Sequence, residues 1–320
     1  MKKLSRKQEK KLTDEEYQEY YCYLRNVYER SKLNNLKIKT RKRIYPLLIS
    51  VIKFRNRLNG YQLKIIGDER SETNRPFIYA VTHIGKEDIE VVSEVIKKHF
   101  FLLSGDFESL HDTVDGIFLG INGVLYFNEK DKEDRQNVKR KMESVLLEGG
   151  SILYFPEGTW NLSPNLPLNR CYYGIIEVAL NANAIIVPIA LEQYDKQFIA
   201  KVGKNFDVKD YIDLDIEPLL EVKIKAIQYL RDELATLKWD IWESVKPLKR
   251  SLIPDDYYEK IIQDKIGQWP TLTLEDFTKA ICRDKESASP EEVFEPIKKL
   301  AYKKETAFLF YNNPMDMKIQ

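Results

Sequence analysis

Short apolar segments alternate with amphipathic ones through the middle of this chain. The apolar segments have the length of strands and lie near residues 62–66, 77–82, 100–103, 123–127, 151–155 and 184–191. Helical periodicity fills the intervals near residues 87–98, 109–120, 132–148 and 172–181. This alternation predicts an α/β fold with a mixed, largely parallel sheet and helices on both faces. An apolar stretch at residues 198–202 predicts an additional edge strand.

Two short motifs stand at the ends of predicted strands. His83 and Asp88 are separated by four residues after the strand near 77–82, and Phe155-Pro156-Glu157-Gly158-Thr159 follows about 70 residues later. A histidine is suited to act as a base near neutral pH, and a carboxylate on its other ring nitrogen fixes the tautomer. A turn into a helix can bring the two side chains together. The alternative is a surface histidine beside an acidic helix start, which the helix dipole favours.

Together and in this order, the motifs resemble those of the glycerophosphate and lysophospholipid acyltransferase family, over about residues 60–205. The resemblance implies transfer of a fatty acyl group to a lysophospholipid hydroxyl such as that of 1-acylglycerol-3-phosphate, in phospholipid biosynthesis. The donor would be acyl-CoA or an acyl carrier protein thioester, with no bound cofactor. His83 would be the base and Asp88 its orienting carboxylate, with no covalent enzyme intermediate. The absence of a G-x-S-x-G sequence agrees with this.

The same resemblance implies where the acceptor binds. The residues implied are Glu157, Gly158, Thr159, Trp160 and Gly123. The family has an arginine six residues after the glycine of its second motif, where this chain has Glu129, and its third motif usually ends in arginine, where this chain has Trp160. Both expected partners of an acceptor phosphate are therefore replaced, although a bidentate guanidinium is the natural phosphate ligand.

Other side chains could compensate for these departures. The basic candidates for the acceptor phosphate are Lys86, Lys130, Arg135 and Arg170. The indole of Trp160 could instead stack on a sugar or line an acyl groove, or it could be a core residue. An acyltransferase for a glycolipid or cell-envelope sugar hydroxyl is therefore one alternative function. A non-catalytic protein that binds a lipid surface is another.

A fourth family motif, an apolar strand with a proline, matches residues 184–190, where Pro188 predicts a strand end or an opened edge.

Composition limits the remaining classes. The three cysteines, Cys22, Cys171 and Cys282, are far apart, and only three histidines are present. Neither a disulfide framework nor a metal site is expected from such spacing. The polar start gives no secretory signal, and no window approaches 18 apolar residues. We therefore expect a cytoplasmic protein.

Basic charge is concentrated near the start of the chain. Residues 1–60 contain 17 Lys/Arg and 6 Asp/Glu, and residues 31–67 contain ten basic residues and no acidic one. Within that run, residues 46–54 predict a short apolar helix with Pro46 at its first position. This pattern favours peripheral binding to an anionic membrane at its inner face. A core-packing helix with a solvated basic flank and a nucleic-acid arm are the alternatives, and we expect no nucleic-acid partner.

Three regions follow from these patterns. Residues 1–60 form a basic helical region with a first helix near 13–34, and residues 61–210 form the α/β domain. Residues 211–320 form a helical extension with a long amphipathic helix at 216–245 and further helices near 254–267, 273–283 and 289–305. Core packing, oligomer contact and an acceptor pocket are all open as roles for this extension.

Overall fold

The computed structural model describes residues 4, 6–9, 11–85, 87–105, 113–129, 131–161, 167–194, 196–212 and 219–245. In this part of the chain, seven strands form one sheet, which confirms the predicted α/β class. The strands are β1 (Gln62–Asp68), β2 (Phe77–Val81), β3 (Phe101–Ser104), β4 (Val124–Tyr126), β5 (Ile152–Tyr154), β6 (Ile185–Tyr194) and β7 (Gln197–Val202). Their order is β1-β7-β6-β2-β5-β3-β4. All neighbours are parallel except β6 and β7, which are antiparallel.

Helices cover both faces of this sheet. They are α1 (Arg6–Glu9), α2 (Asp14–Glu29), α3 (Ile38–Leu58), α4 (Asp88–Ile96), α5 (Val114–Asn122), α6 (Lys132–Leu147), α7 (Gly174–Asn181) and α8 (Leu219–Ser244), with a 3₁₀ turn at Val208–Asp210. Side chains of β2 alternate between two buried clusters, so that Ile78 joins α6, α7 and α8 while Tyr79 joins α2, α4 and α5. Burial on both faces explains the continuous apolar runs of the central strands.

Strand β7 corrects the prediction of an edge strand. It lies between β1 and β6, and the edges of the sheet are β1 and β4. The reason is that β7 turns back on β6 as an antiparallel neighbour, while β1 pairs with its other side. Residues Phe198, Ile199 and Ala200 are buried accordingly.

Two prolines lie inside secondary-structure elements, Pro188 in a strand and Pro46 in a helix. Pro188 lies inside β6, between the last β7 pair (Ile189 with Val202) and an isolated bridge of Ile186 with Phe206. The β6–β7 ladder therefore stops before Pro188, which lacks an N–H, while the β2–β6 ladder continues through it with Ala80 as partner. The prediction for Pro46 is wrong, because α3 starts at Ile38 and Pro46 lies inside this helix. The basic residues before Pro46 are thus helical as well.

Arg41 also corrects a prediction, since the basic run was expected to face lipid. Its side chain is 1% exposed, and its five donor bonds all reach backbone carbonyls. The acceptors are the carbonyl oxygens of Leu33, Asn34, Leu36, Gly120 and Ile121, at 2.6–3.1 Å. Arg41 therefore joins the loop before α3 to the end of α5.

Helix α8 corresponds to the amphipathic helix predicted at 216–245. It packs against β6, β7 and α7. The helices predicted near 254–267, 273–283 and 289–305 lie outside the described residues, and the domain boundaries at 60 and 210 stay predictions.

Candidate active site

The two sequence motifs meet at one edge of the sheet. Strands β2 and β5 are adjacent and parallel, with Ile78 paired to Ile152 and Ala80 to Tyr154. Their carboxyl ends therefore lie side by side, where open α/β sheets form their binding sites. His83 follows β2 by two residues and Phe155 follows β5 directly.

The His83 imidazole and the Asp88 carboxylate are in direct contact. Nδ1 of His83 lies 2.7 Å from Oδ2 of Asp88, the first residue of α4. The same oxygen accepts the backbone N–H groups of Ile84 and Gly85, at 3.1 and 3.2 Å. Since Asp88 accepts here, the proton between the pair lies on Nδ1. The carboxylate is fully buried, and its three bonds all reach Oδ2, whereas the buried Oδ1 has no hydrogen-bond partner among the described residues.

The other ring nitrogen of His83, Nε2, has different surroundings. Among the described residues, no hydrogen-bond partner for Nε2 is found, and the side chain is 17% exposed. The ring lies flat on Phe155, with centroids 4.0 Å apart and planes at 15°. Trp160 stands nearly perpendicular to it at 6.0 Å. Nε2 of His83 therefore lies between two aromatic side chains.

Glu157 braces the backbone around the histidine. Its Oε1 accepts the backbone N–H of His83 at 3.0 Å, and its Oε2 accepts that of Asn169 at 2.8 Å. The side chain is 2% exposed. Burial raises the pKa of Glu157, while the ammonium group of Lys238 and the two backbone amides act against that shift. Glu157 thus joins the motif after β5 to the motif after β2.

Further contacts fix the His83 segment. The carbonyl of His83 accepts the N–H of Asn161 at 2.7 Å. The hydroxyl of Thr82 exchanges hydrogen bonds with the backbone of Leu191 on β6. Sequence reasoning missed Asn161 and Asn169, because both contribute backbone amides, which leave no signal in a side-chain pattern.

Comparison with known proteins agrees with this geometry. Residues 62–192 match the family described as Acyltransferase. This segment of the chain is therefore similar to the acyltransferase family.

Individual relatives are distant. A 1-acyl-sn-glycerol-3-phosphate acyltransferase of Borreliella burgdorferi is 25% identical over 193 residues, which cover 60% of this chain and 75% of that protein. A protein of the same description from Chlamydomonas reinhardtii is 26% identical over 132 residues, covering 41% of this chain and 39% of the relative. The crystal structure of the 1-acyl-sn-glycerophosphate acyltransferase PlsC from Thermotoga maritima superimposes with a TM-score of 0.51 at 13% identity, over 72% of this chain and 90% of that one. This last likeness shows the shared fold.

Gly158, Thr159 and Trp160 follow β5 at the same edge as His83, whereas Gly123 precedes β4 and lies at the opposite edge of the sheet, apart from the other predicted acceptor residues. Gly158 is exposed at φ 65°, whereas Thr159 and Trp160 are half-buried. Gly123 is buried, directly after α5, at φ 113°. A Cβ there would lie 2.6 Å from the Phe101 ring, so glycine is required by both backbone and space.

The basic candidates for the acceptor phosphate are spread along residues 86–170. Arg135 is exposed and donates to the backbone carbonyl of Glu129, which is itself exposed after β4. Arg170 is exposed beside Asn169. Lys86 and Lys130 lie outside the described residues. Glu129, where the resemblance led us to expect arginine, therefore stands in an exposed turn.

The described ranges contain neither a cluster of metal ligands nor a membrane-spanning helix. No group of three potential metal-ligating residues occurs there. No helix in this part of the chain is long and apolar enough to cross a membrane. Cys22 and Cys171 are free thiols, the first exposed and the second buried.

Proposed function

We propose that this protein is an O-acyltransferase that moves a fatty acyl group from acyl-CoA or an acyl carrier protein thioester to a lysophospholipid hydroxyl, such as that of 1-acylglycerol-3-phosphate. The observation that carries the proposal is the 2.7 Å contact of His83 Nδ1 with Asp88, which leaves Nε2 open at the sheet edge. The distant relatives of that description support the acceptor class.

The reaction needs one base and one acid step. Nε2 of His83 takes the proton of the acceptor hydroxyl as its oxygen attacks the thioester carbonyl. The new C–O bond forms, the C–S bond breaks, and the proton passes from Nε2 to the leaving thiolate. Asp88 stabilises the imidazolium between these two steps, and its buried position keeps that interaction strong.

The catalytic assignment is tested with two variants of the pair. His83→Ala and Asp88→Asn should each lose acyl transfer while keeping the fold, as judged by circular dichroism. Acyl thioester consumption and product mass are measured with 1-acylglycerol-3-phosphate as acceptor. Turnover of His83→Ala near the level of the unaltered protein would show that the histidine is not the base.

A second acceptor class is favoured by two specific residues. Exposed Glu129 replaces the arginine of the family's second motif, and Trp160 lies 6.0 Å from the His83 ring. An indole beside the base suits the apolar face of a sugar, and a carboxylate repels phosphate. A glycolipid or cell-envelope sugar hydroxyl is therefore the alternative acceptor.

An acceptor panel separates these classes. Substituting Lys130, Arg135 and Arg170 singly by methionine should raise the KM of a phosphate acceptor and leave the KM of the thioester unchanged. The three variants could instead bind 1-acylglycerol-3-phosphate normally while Trp160→Ala weakens binding of a glycolipid acceptor. A sugar hydroxyl would then be the acceptor, and the lysophospholipid assignment would be wrong.

We also propose that α3 lies on an anionic membrane at its cytoplasmic face, where the thioester donors occur. Leu47, Val51, Phe54 and Leu58 recur at helical spacing and are 70%, 41%, 63% and 71% exposed. Basic residues Arg43, Lys53 and Arg57 belong to the same helix. Exposed apolar side chains with basic neighbours suit an anionic lipid surface.

Vesicle binding tests this contact. Co-sedimentation with anionic vesicles should fall when Leu47, Phe54 and Leu58 are changed to Gln, and it should fall with rising salt for the unaltered protein. Reversing Arg43, Lys53 and Arg57 to Glu tests the charge, and this set omits buried Arg41. Undiminished sedimentation of both triple variants at low salt would refute the contact.

A further inference from the structure

We propose that Arg231 of α8 is a positioning residue for the active site. It holds the loop at residues 167–170, and through Asn169 and Glu157 it fixes the backbone of His83. The proposal rests on the function proposed above for His83. It extends the machinery of the enzyme to a helix outside the matched family segment, residues 62–192.

The first link is the buried guanidinium. Arg231 is 6% exposed, its Nε lies 3.4 Å from the carbonyl oxygen of Asn169, and its Nη2 lies 3.3 Å from that of Leu168. Two donors of one planar group thus reach two successive carbonyls. Because the two donors have a fixed relative geometry, they constrain the positions of both carbonyl groups and therefore the path of the backbone.

The second link is Asn169 itself. Its backbone N–H donates to Oε2 of Glu157 at 2.8 Å, and its side-chain amide donates to the carbonyl of Trp160 at 3.4 Å. The other oxygen of Glu157 accepts the N–H of His83 at 3.0 Å. A continuous series of hydrogen bonds therefore runs from Arg231 to the residue that carries the proposed base.

The helix that carries Arg231 is a rigid support. Leu230 and Leu234, on either side of it in the chain, are fully buried in the cluster that α8 forms with the sheet and α7. Seven residues after Arg231, Lys238 is 3% exposed and pairs with Glu192 of β6 at 2.7 Å. Residues seven apart share a helix face. Arg231 and Lys238 therefore attach the same face of α8 to the loop at residues 167–170 and to β6.

Positioning of this kind affects rate more than binding. A proton acceptor that moves by about 1 Å can lose 10²-fold in rate. Arg231 touches neither His83 nor the sheet edge directly. Its removal should therefore lower kcat per folded molecule with the donor KM almost unchanged. A loss of folded protein also lowers the apparent kcat without changing KM, so the rate is divided by the concentration of folded protein.

The experiment compares Arg231→Met with two matched variants in the full chain. Arg140→Met makes the same substitution at an exposed arginine of α6 that bonds to Asn137 of its own helix. Leu234→Ala removes core packing from α8 but keeps the two hydrogen bonds of Arg231 to the loop. Measured are kcat and KM for thioester and acceptor, thermal unfolding, and hydrogen-exchange mass spectrometry on peptides covering residues 81–85 and 167–171.

Arg231→Met should lower kcat by about 10- to 100-fold, keep the donor KM within about threefold, and speed exchange in both peptides. Arg140→Met should leave all of these unchanged, and Leu234→Ala should lower the unfolding temperature with a smaller fall in kcat. Arg231→Lys, which keeps one donor to the loop, should recover part of the rate.

Unchanged exchange in the two peptides, or an equal fall in kcat for Leu234→Ala and Arg231→Met at equal unfolding temperature, overturns the proposal. So does normal kcat of Arg231→Met where His83→Ala is inactive. If His83→Ala is itself active, the proposed function fails, and the exchange result alone then decides whether Arg231 holds the loop.

Discussion

Two histidines at two parts of this protein show how surroundings assign different chemistry to one side chain. His83 stands at the carboxyl edge of the sheet with a carboxylate on Nδ1, and no described residue bonds its Nε2. His99 precedes β3, is 5% exposed, and its Nε2–H donates to the carbonyl of Asn122 at 2.6 Å. Its Nδ1 has no hydrogen-bond partner among the described residues. One ring leaves a nitrogen open at the sheet edge, and the other is buried in surroundings that lower its pKa.

The region of His99 closes a helix end. Arg41 donates to the carbonyls of Gly120 and Ile121, and His99 donates to that of Asn122, the last residue of α5. Three successive carbonyls at a helix C-terminus thus have side-chain donors. Desolvation lowers the pKa of His99 to about 4, and the positive charges of Arg41 and Lys42 act in the same direction.

The largest expected effect separates the two histidines by activity. His83→Ala should lower kcat by about 10²–10⁴-fold, because a positioned base is lost. His99→Ala should keep kcat per folded molecule and lose stability. Steady-state rates are measured at one concentration of folded protein, as fixed by near-ultraviolet circular dichroism. Equal loss of kcat in both variants would mean that the loss reflects the fold and not the base.

The next effect concerns Arg41 in the His99 region. Arg41→Met should cost about 3–5 kcal/mol of unfolding free energy, since five carbonyl acceptors lose a buried charged partner. Arg43→Met, at an exposed arginine two residues later, should change stability by less than about 0.5 kcal/mol. Urea unfolding measures both. A small loss for Arg41→Met would show that water replaces the guanidinium at the end of α5.

The third effect follows from the low pKa of His99. Between pH 6.5 and about 4 the unfolded chain binds a proton at this residue that the folded chain does not bind. Stability therefore falls as pH falls through this window, by about 3 kcal/mol for His99. His99→Gln cannot titrate, so its unfolding free energy should fall less between pH 7 and pH 4.5. If the unfolding free energies of the two proteins fell equally with pH, His99 would not be held neutral in the folded protein.

The sequence predicted the parts of this comparison that are local. His83 and Asp88 are five residues apart, and the strand before them and the helix after them could be read from periodicity. The order of the strands in the sheet could not be predicted, because it depends on pairing between segments that are distant in the sequence. Thus the contact of the two motifs through Glu157 required the adjacency of β2 and β5.

Buried cations were predicted least well. Arg41 belongs to a run of basic residues that reads as a surface, and its acceptor at Gly120 is 79 residues away along the chain. Arg231 on α8 reaches Asn169 across 62 residues. Their partners are backbone carbonyls, which every residue has, so no residue type could indicate the pairing.

The smallest expected effect concerns the aromatic neighbours of the two rings. His83 lies flat on Phe155 at 15°, whereas His99 stands at 89° to Tyr45 and 88° to Phe101. An aromatic face attracts a cation by about 0.5–1 kcal/mol, so Phe155 should stabilise the imidazolium that forms during proton transfer. Phe155→Leu should therefore lower kcat/KM by about two- to fivefold. Phe101→Leu serves as the control, because His99 never becomes charged in the reaction, and only stability should change. A rate for Phe155→Leu equal to that of the unaltered protein would mean that the stacked ring only fills space beside His83.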